Sequence, residues 1–166
     1  MKITLKDGSV REYDKSMSVF EIASDISEGL ARVAMAGEVN GEVVDLRTVL
    51  SDDCELSILT FQDEGGKETF RHTTSHILAQ AVKRLYPETK LAIGPAIADG
   101  FYYDLDRETP FTTEDLEKIE KEMKKIVKEA LPIESFTLPR EEAIALMKEK
   151  EEPYKVELIE DLPEDS

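Results

Sequence analysis

Alternating apolar and polar positions predict several short strands in the first sixty residues. In MKITL, Ile3 and Leu5 alternate with polar residues, Asp7-Gly8 offers a turn, and VREY resumes the extended pattern. Two further strands, RVAMAGEV and EVVDL, flank Asn40-Gly41, which is a strong hairpin signal. LSILTF at 56–61 completes the set. The pattern therefore predicts a small mixed sheet.

One helix interrupts these strands. Ser18 and Glu21 have the spacing of a capping box, in which each side chain satisfies the other residue's backbone N–H. Behind them, Val19, Ile22-Ala23 and Ile26 recur on one face of a helix. A sheet with one helix packed across it is typical of a β-grasp fold.

Residues 62–69, QDEGGKET, are polar and contain the pair Gly65-Gly66, which is expected to break regular structure. We place a domain boundary here, with one domain at 1–62 and a second at 63–166. No internal repeat or low-complexity tract occurs.

The second part predicts a mixture of helices and extended segments. A helix is expected from about Lys67 to Leu85, and residues 91–106 read as two extended segments joined around 98–100. Thr112 and Asp115 resemble a capping box before an amphipathic helix. A short helix after Pro139 lies between two extended segments, IESFTL and YKVELI. The fold class is therefore α+β.

Composition limits the possible partners. The 37 acidic and 21 basic residues give a net charge of −16, which on average repels phosphate backbones. The lysines at 118–130 alternate with glutamates and predict a solvated helix face rather than an RNA track. No stretch reaches the length of a membrane span, the start lacks a signal peptide, and the single Cys54 fits a reducing compartment, so we expect a cytoplasmic protein.

The chain's only two histidines occur in RHTTSH. On a helical wheel, Phe70, Ile77, Leu78, Ala81, Val82 and Leu85 gather on one side and are expected to face the core. His72 and His76 lie nearly opposite, within about 40° of each other. They point either into plain solvent or into a cleft, where two imidazoles could share one bound water.

A metal site is not expected. The glutamate that an HExxH motif needs as a general base is replaced by Thr73. Zinc also requires three or four protein ligands, and this sequence offers no third histidine and only Cys54. Cys54 is more simply a small buried hydrophobe in a strand.

Several stretches, spread over essentially the whole chain, resemble known protein families. KDGSVREYD, NGEVVDL and DCELSILTFQDEGG resemble the TGS domain, and RHTTSHILAQAVKRLYP followed by LAIGPAIADGFYYDLD resembles the opening of the editing domain of bacterial threonyl-tRNA synthetases. The HxxxH helix alone would equally fit the editing domains of alanyl-tRNA synthetases and their free-standing relatives.

The resemblance implies a part in a homodimeric ligase that joins threonine to tRNA(Thr) with ATP, Mg²⁺ and a catalytic-domain zinc. This region would contribute to proofreading, because a hydrophobic pocket discriminates one methyl group by only about 1–3 kcal/mol and a second, hydrolytic site removes misattached serine. As a separate fragment we expect it to be monomeric, to carry no cofactor, to bind tRNA weakly or not at all and to be inactive.

Residue by residue, the resemblance assigns catalytic roles to His72, His76 and Lys155 and a substrate-binding role to Tyr103. The family's further Asp-x-Cys motif and its histidine would lie beyond residue 166, so the site is expected to be incomplete here. Simpler interpretations remain: Tyr103 as a core residue, and Lys155 as a surface lysine on an edge strand. Two other functions remain open, a regulatory or RNA-binding TGS module and a free-standing, metal-dependent alanyl-type deacylase.

Overall fold

The computed structural model describes residues 1–131 and 136–163. The chain divides into two compact units, Met1–Arg71 and His72–Ser166. Each unit has its own hydrophobic core, which in the first centres on Ile3, Ile22 and Leu56 and in the second on Val82 and Ile119. The division lies nine residues beyond the position that the polarity of 62–69 suggests.

The first unit is built on a five-stranded mixed sheet in the order β2-β1-β7-β4-β5. The strands are β1 (Lys2–Leu5), β2 (Val10–Glu12), β4 (Ala34–Val39), β5 (Glu42–Val44) and β7 (Cys54–Thr60). The central pair β1 and β7 is parallel and aligns Ile3 with Cys54, whereas the other pairs are antiparallel. Asn40-Gly41 forms the predicted turn between β4 and β5, with both φ angles positive.

One helix packs across this sheet as predicted. α1 (Val19–Ile26) begins at Ser18, and both hydrogen bonds of the capping box with Glu21 are present. Its residues Val19, Ile22 and Ala23 are buried, and Val19 and Ile22 pack in one cluster with Ile3, Leu50 and Leu56. The α+β class and the β-grasp arrangement of the first unit are confirmed.

Three short elements of this unit are absent from the sequence prediction. α2 (Glu28–Val33) occupies Arg32 and Val33, which were assigned to a strand, and strand β4 begins only at Ala34. Ser27 caps α2 by accepting a hydrogen bond from Gly29 N. The two-residue strands β3 (Met17–Ser18) and β6 (Val49–Leu50) pair antiparallel and are too short to show a period.

The pair Gly65-Gly66 lies inside a helix, so the prediction that it breaks regular structure is wrong. α3 (Glu64–Leu85) contains both glycines. A Cβ built at Gly66 would lie 1.9 Å from the carbonyl oxygen of Thr60, so the helix start approaches the end of β7 too closely for any side chain. These glycines therefore serve close packing rather than flexibility.

The second unit contains a long hairpin over the predicted extended region. β8 (Lys90–Leu91) pairs with β11 (Leu105–Asp106), and β9 (Ala96–Ile97) pairs with β10 (Gly100–Phe101). Between the two pairs, Ala92 N donates to the carbonyl of Asp104 and Asp104 N donates to that of Ile93. The hairpin is therefore continuous in hydrogen bonding from its base towards its turn.

α4 (Thr113–Glu129) begins with the predicted capping box of Thr112 and Asp115. Its buried Ile119 and Ile126 pack against Ala81 and Val82 of α3. Ile77, Leu78 and Leu85 also contact this cluster, in agreement with the wheel. Phe70 is an exception: it is 44% exposed and stacks edge to face on Phe61 in the first unit.

The last described residues include two helices that pack together, α5 (Arg140–Glu149) and α6 (Pro153–Glu160). The helix after Pro139 is confirmed, but YKVELI is helical, so the strand expected around Lys155 is wrong. Pro153 is accommodated at the helix start, where its missing N–H costs nothing. The strand expected at IESFTL lies partly in residues 132–135, outside the described residues.

Candidate functional site

Two imidazoles meet on one face of α3. His72 and His76 are four residues apart, and their Nε2 atoms lie 3.0 Å from each other. Their rings are nearly perpendicular, with centroids 4.6 Å apart. A contact of this length between two ring nitrogens needs one donor and one acceptor, so at least one of the rings is neutral.

Ser75 is hydrogen-bonded to the backbone of His72, next to this pair. Its side chain is 1% exposed, and its hydroxyl donates a 2.7 Å hydrogen bond to the carbonyl of His72. Both imidazoles are exposed, whereas Ser75 is buried. The histidines therefore rise from a packed helix face and remain accessible.

The hairpin contributes an aromatic wall. Tyr103 lies against Gly94 so closely that a Cβ on the glycine would come within 2.2 Å of the Tyr103 ring. Burial, and then the charge of Glu152, raises the pKa of the Tyr103 phenol, so this hydroxyl stays protonated and can donate a hydrogen bond at neutral pH.

Lys155 completes the group from α6. It is partly buried, and its neighbour Val156 is buried in the unit. The helix that carries it is fixed at its C-terminal end by Arg140, whose guanidinium donates to the carbonyls of Ile159 and Glu160. A second anchor is the Tyr154 hydroxyl, which donates to Asp106 of the hairpin.

These side chains surround one cavity of about 570 Å³. Its polar lining consists of His72, Ser75, His76, Tyr103 and Lys155, and its apolar lining consists of residues 92–95 with Met147, Leu158 and Ile159. A mostly apolar cleft with a few convergent polar groups is typical of a small-molecule site. The four residues named from the sequence therefore lie together.

Electrostatics favour a neutral imidazole at His76. Partial desolvation of this accessible ring, followed by the neighbouring His72 and the charge of Lys155, lowers the pKa of His76 below its ordinary value of 6.5. A neutral imidazole at physiological pH can accept a proton, so the ring is suited to general-base or hydrogen-bonding roles rather than to holding an anion.

The donor set does not match that of a resident metal ion. Within residues 1–131 and 136–163, no three side chains of histidine, cysteine, aspartate or glutamate are grouped closely enough to hold one. Cys54 belongs to β7 of the first unit, where burial raises its thiol pKa. The cavity offers two imidazoles, a hydroxyl, a phenol and an ammonium group.

Sequence reasoning missed two features of the site. Met147, from α5, lines the cavity with no local signal beyond its apolar character. Glu152 is 4% exposed although it stands in the charged run KEKEEPYK, which is typical of a solvated surface. A buried carboxylate in such a run can be recognised only from the fold.

The chain is similar to known proteins along nearly its whole length, not only around this cavity. Residues 1–60 match the TGS domain family. Over 164 residues, 99% of the chain, it is 70% identical to a threonine–tRNA ligase of Acetivibrio thermocellus. Enzymes of the same name from Caldanaerobacter subterraneus and Clostridioides difficile are 62% and 61% identical over the same length.

Over nearly its whole length the chain is similar to threonine–tRNA ligases. It spans about a quarter of the length of these relatives, 26% in each of the three. Because the similarity covers both units, a TGS module alone does not account for the chain, and residues 72–163 with their cavity are part of the family likeness. No helix among the described residues has the length and apolar character needed to cross a membrane.

Proposed function

We propose that this chain is the proofreading region of a threonyl-tRNA synthetase, and that the cavity binds a serine ester on the 3′ end of tRNA(Thr) for hydrolysis. The observation that carries the proposal is the convergence of His72, His76, Tyr103 and Lys155 on one cavity. The homology to threonine–tRNA ligases supplies the substrate class.

The chemistry asked of the site is ester hydrolysis. A water oxygen attacks the carbonyl carbon of the serine ester, the water proton passes to a neutral imidazole, and the ester C–O bond breaks to release serine and the ribose hydroxyl. The His72–His76 pair is suited to take and pass on that proton, because its Nε2 atoms already share a hydrogen bond. The Lys155 ammonium suits the negative charge that develops on the carbonyl oxygen.

The remaining groups hold the substrate. The Tyr103 phenol, which stays protonated, can donate to the ester or the ribose. The apolar wall from residues 92–95 and Met147 excludes water from one side of the reacting carbon and limits side-chain size. A pocket that admits serine and rejects one further methyl group is what a second sieve requires.

The complete enzyme is then a cytoplasmic homodimer that ligates threonine to tRNA(Thr) with ATP and Mg²⁺. We propose that the groups named above form only part of the hydrolytic site, because the family's Asp-x-Cys and additional histidine have no counterpart among the two histidines and one cysteine of this sequence. The chain by itself would then hydrolyse the ester slowly.

Hydrolysis of serine-charged tRNA(Thr) by the complete synthetase tests the proposal. His72→Ala and Lys155→Ala are each expected to slow hydrolysis by roughly 100-fold, the usual contribution of a positioned acid–base group, with threonine attachment unchanged. Lys128→Ala is the matched control, since Lys128 is exposed on α4 away from the cavity. If both His72→Ala and Lys155→Ala hydrolysed the ester at the wild-type rate, the proposed roles of these residues would be refuted.

A further inference from the structure

Glu152 is a buried carboxylate at the junction of three elements. Its side chain is only 5% exposed. One oxygen, Oε1, lies 2.9 Å from the ammonium of Lys83 on α3, and the other, Oε2, accepts a 3.0 Å hydrogen bond from Leu91 N of β8. Its own carbonyl accepts hydrogen bonds from the N–H groups of Lys155 and Val156 at the start of α6.

The partner of this carboxylate is equally constrained. The Lys83 ammonium also donates to the carbonyls of Pro87 at 3.1 Å and Thr89 at 3.0 Å. An ammonium has three N–H donors, and these three contacts use all of them. The pair therefore has little freedom to rearrange without breaking a hydrogen bond.

The geometry of α3 links this ion pair to the imidazoles. The helix turns by about 100° per residue, so His72, His76 and Lys83 lie within about 40° of one another on one face. Lys83 follows His76 by about 10 Å along the axis. Glu152 is the N-cap residue of α6 and precedes Lys155 by three residues.

We propose that Glu152 is a positioning residue: its ion pair with Lys83 fixes where α6 lies along α3, and so holds the Lys155 ammonium beside His72 and His76. Neither Glu152 nor Lys83 lines the cavity that contains the histidines. The importance of this placement for hydrolysis rests on the proposed function, whereas the placement itself can be measured without any substrate.

The other anchors of α6 act elsewhere. Tyr154 bonds Asp106 on the exposed side, and Arg140 holds the last carbonyls of the helix. Neither of them lies between α6 and α3. The Lys83–Glu152 pair therefore connects α3 directly to the N-cap of α6.

A double-mutant cycle read by NMR tests the placement in the full chain. The groups that face His76 are His72 on its own helix, Lys155 from α6 and the Tyr103 phenol from the hairpin. Lys155→Met removes a nearby positive charge, so it is expected to raise the pKa of His76, which is readily followed because the chain has only two histidines. The same substitution is then made in a Glu152→Gln background.

Glutamine can accept from only one of the two donors, Lys83 or Leu91 N, and presents its own N–H₂ to the other. If Glu152 positions Lys155, then Lys155→Met in this background produces less than half of the rise seen in the native chain. An equal rise in both backgrounds would overturn the proposal. The lost charge of Glu152 does not by itself produce this result, because the two proteins in each comparison carry the same residue at position 152. That residue is glutamate in one comparison and glutamine in the other.

Two further variants guard against misleading outcomes. Glu157→Gln removes an exposed carboxylate from the same helix and is expected to leave the full Lys155 effect intact. Should Glu152→Gln fail to fold, Lys83→Gln breaks the pair from its less buried side, 29% exposed, and is expected to reduce the effect in the same way. A full Lys155 effect in folded Lys83→Gln would also overturn the proposal.

Hydrolysis by the complete synthetase gives the functional readout. Glu152→Gln is expected to lower kcat by about tenfold or more, with KM changed less, because a displacement of about 1 Å in a site can cost as much as 100-fold. If the cycle shows positioning but hydrolysis of serine-charged tRNA(Thr) is unaffected, the proposed function fails and the structural role of Glu152 stands.

Discussion

Tyr103 keeps its place in the cavity because Gly94 has no side chain. The ring lies where a Cβ would project, 2.2 Å from its nearest carbon. A neighbour that is part of a hydrogen-bonded hairpin cannot move far to accommodate a methyl group, since Ala92 and Ile93, just before Gly94, are hydrogen-bonded to Asp104, just after Tyr103. The glycine therefore determines where the phenol points.

Gly94→Ala is expected to push the Tyr103 ring towards solvent. Overpacking of this kind costs about 1–3 kcal/mol in the free energy of unfolding. The pKa of Tyr103, which burial raises, should then fall towards its ordinary value, as measured by NMR titration of ring-labelled tyrosine. Gly29→Ala is the control, because a Cβ there makes only an ordinary 3.4 Å contact. An unchanged Tyr103 pKa in Gly94→Ala would contradict the close contact.

For individual residues, the sequence indicated which side chains could take part in the site, but it did not show which of them are buried. The two histidines were recognisable from their spacing, whereas Lys155 and Tyr103 required the family resemblance. Nothing in KEKEEPYK distinguishes Glu152 from its exposed neighbours, because its burial depends on Lys83 and Leu91, which lie 69 and 61 residues earlier in the chain. Long-range ion pairs leave no local pattern.

Among the helices and strands, the periodicity of apolar residues predicted the long segments correctly and failed for the short ones. α1 and α4 follow their capping boxes and apolar spacing closely. The six residues of YKVELI alternate like a strand, yet the buried Glu152 and Val156 and the partly buried Ile159 are three to four residues apart, as in a helix. Segments of six residues fit both periods, and packing against α5 decides between them.

The glycine pair at the start of α3 shows the same limit. Glycines usually mark a turn or linker, and only the approach of Thr60 explains why they stand in a helix. The two positions are not equivalent. A Cβ at Gly65 would meet the flexible side chain of Leu59 at 3.0 Å, whereas one at Gly66 would overlap the backbone of Thr60.

Gly66→Ala is therefore expected to destabilise the first unit by about 2 kcal/mol or more, because a backbone carbonyl cannot swing aside. Gly65→Ala is the adjacent control and should change stability by less than about 1 kcal/mol, since the gain in helix propensity offsets a mild side-chain adjustment. Urea unfolding followed by amide NMR signals of residues 1–60 measures both. Equal effects of the two substitutions would refute the role given to Thr60.

On the scale of the whole molecule, the net charge of −16 opposes the binding of nucleic acid, whereas the cavity contains a positive charge. Phosphate backbones are repelled on average, yet the cavity itself presents the Lys155 ammonium. Under the proposed function, a tRNA end would reach this cavity only if other surfaces held the rest of the tRNA. This is consistent with a chain that spans a quarter of its relatives.

Acidification should destabilise the second unit through two groups. The pKa of His76 is lowered in the folded state, so its contribution to stability is present above about 6.5 and is lost as pH falls through the folded value. Asp115, which accepts hydrogen bonds from Tyr86 and Thr112, has its pKa lowered from 3.8 to about 2, so its contribution disappears between about pH 4 and pH 2.

Acidification also has a stabilising effect, because protonation relieves the repulsion of 37 acidic side chains. This effect must be separated from the contributions of His76 and Asp115. The relevant measurement is the difference in unfolding free energy between the native chain and each variant as a function of pH. His76→Gln should remove only the loss of stability that begins as pH falls below about 6.5, and Asp115→Asn only the step below pH 4. A difference curve for His76→Gln that is flat from pH 8 to pH 5 would show that His76 is not held in its neutral form, and would remove the electrostatic basis for its proposed role in proton transfer.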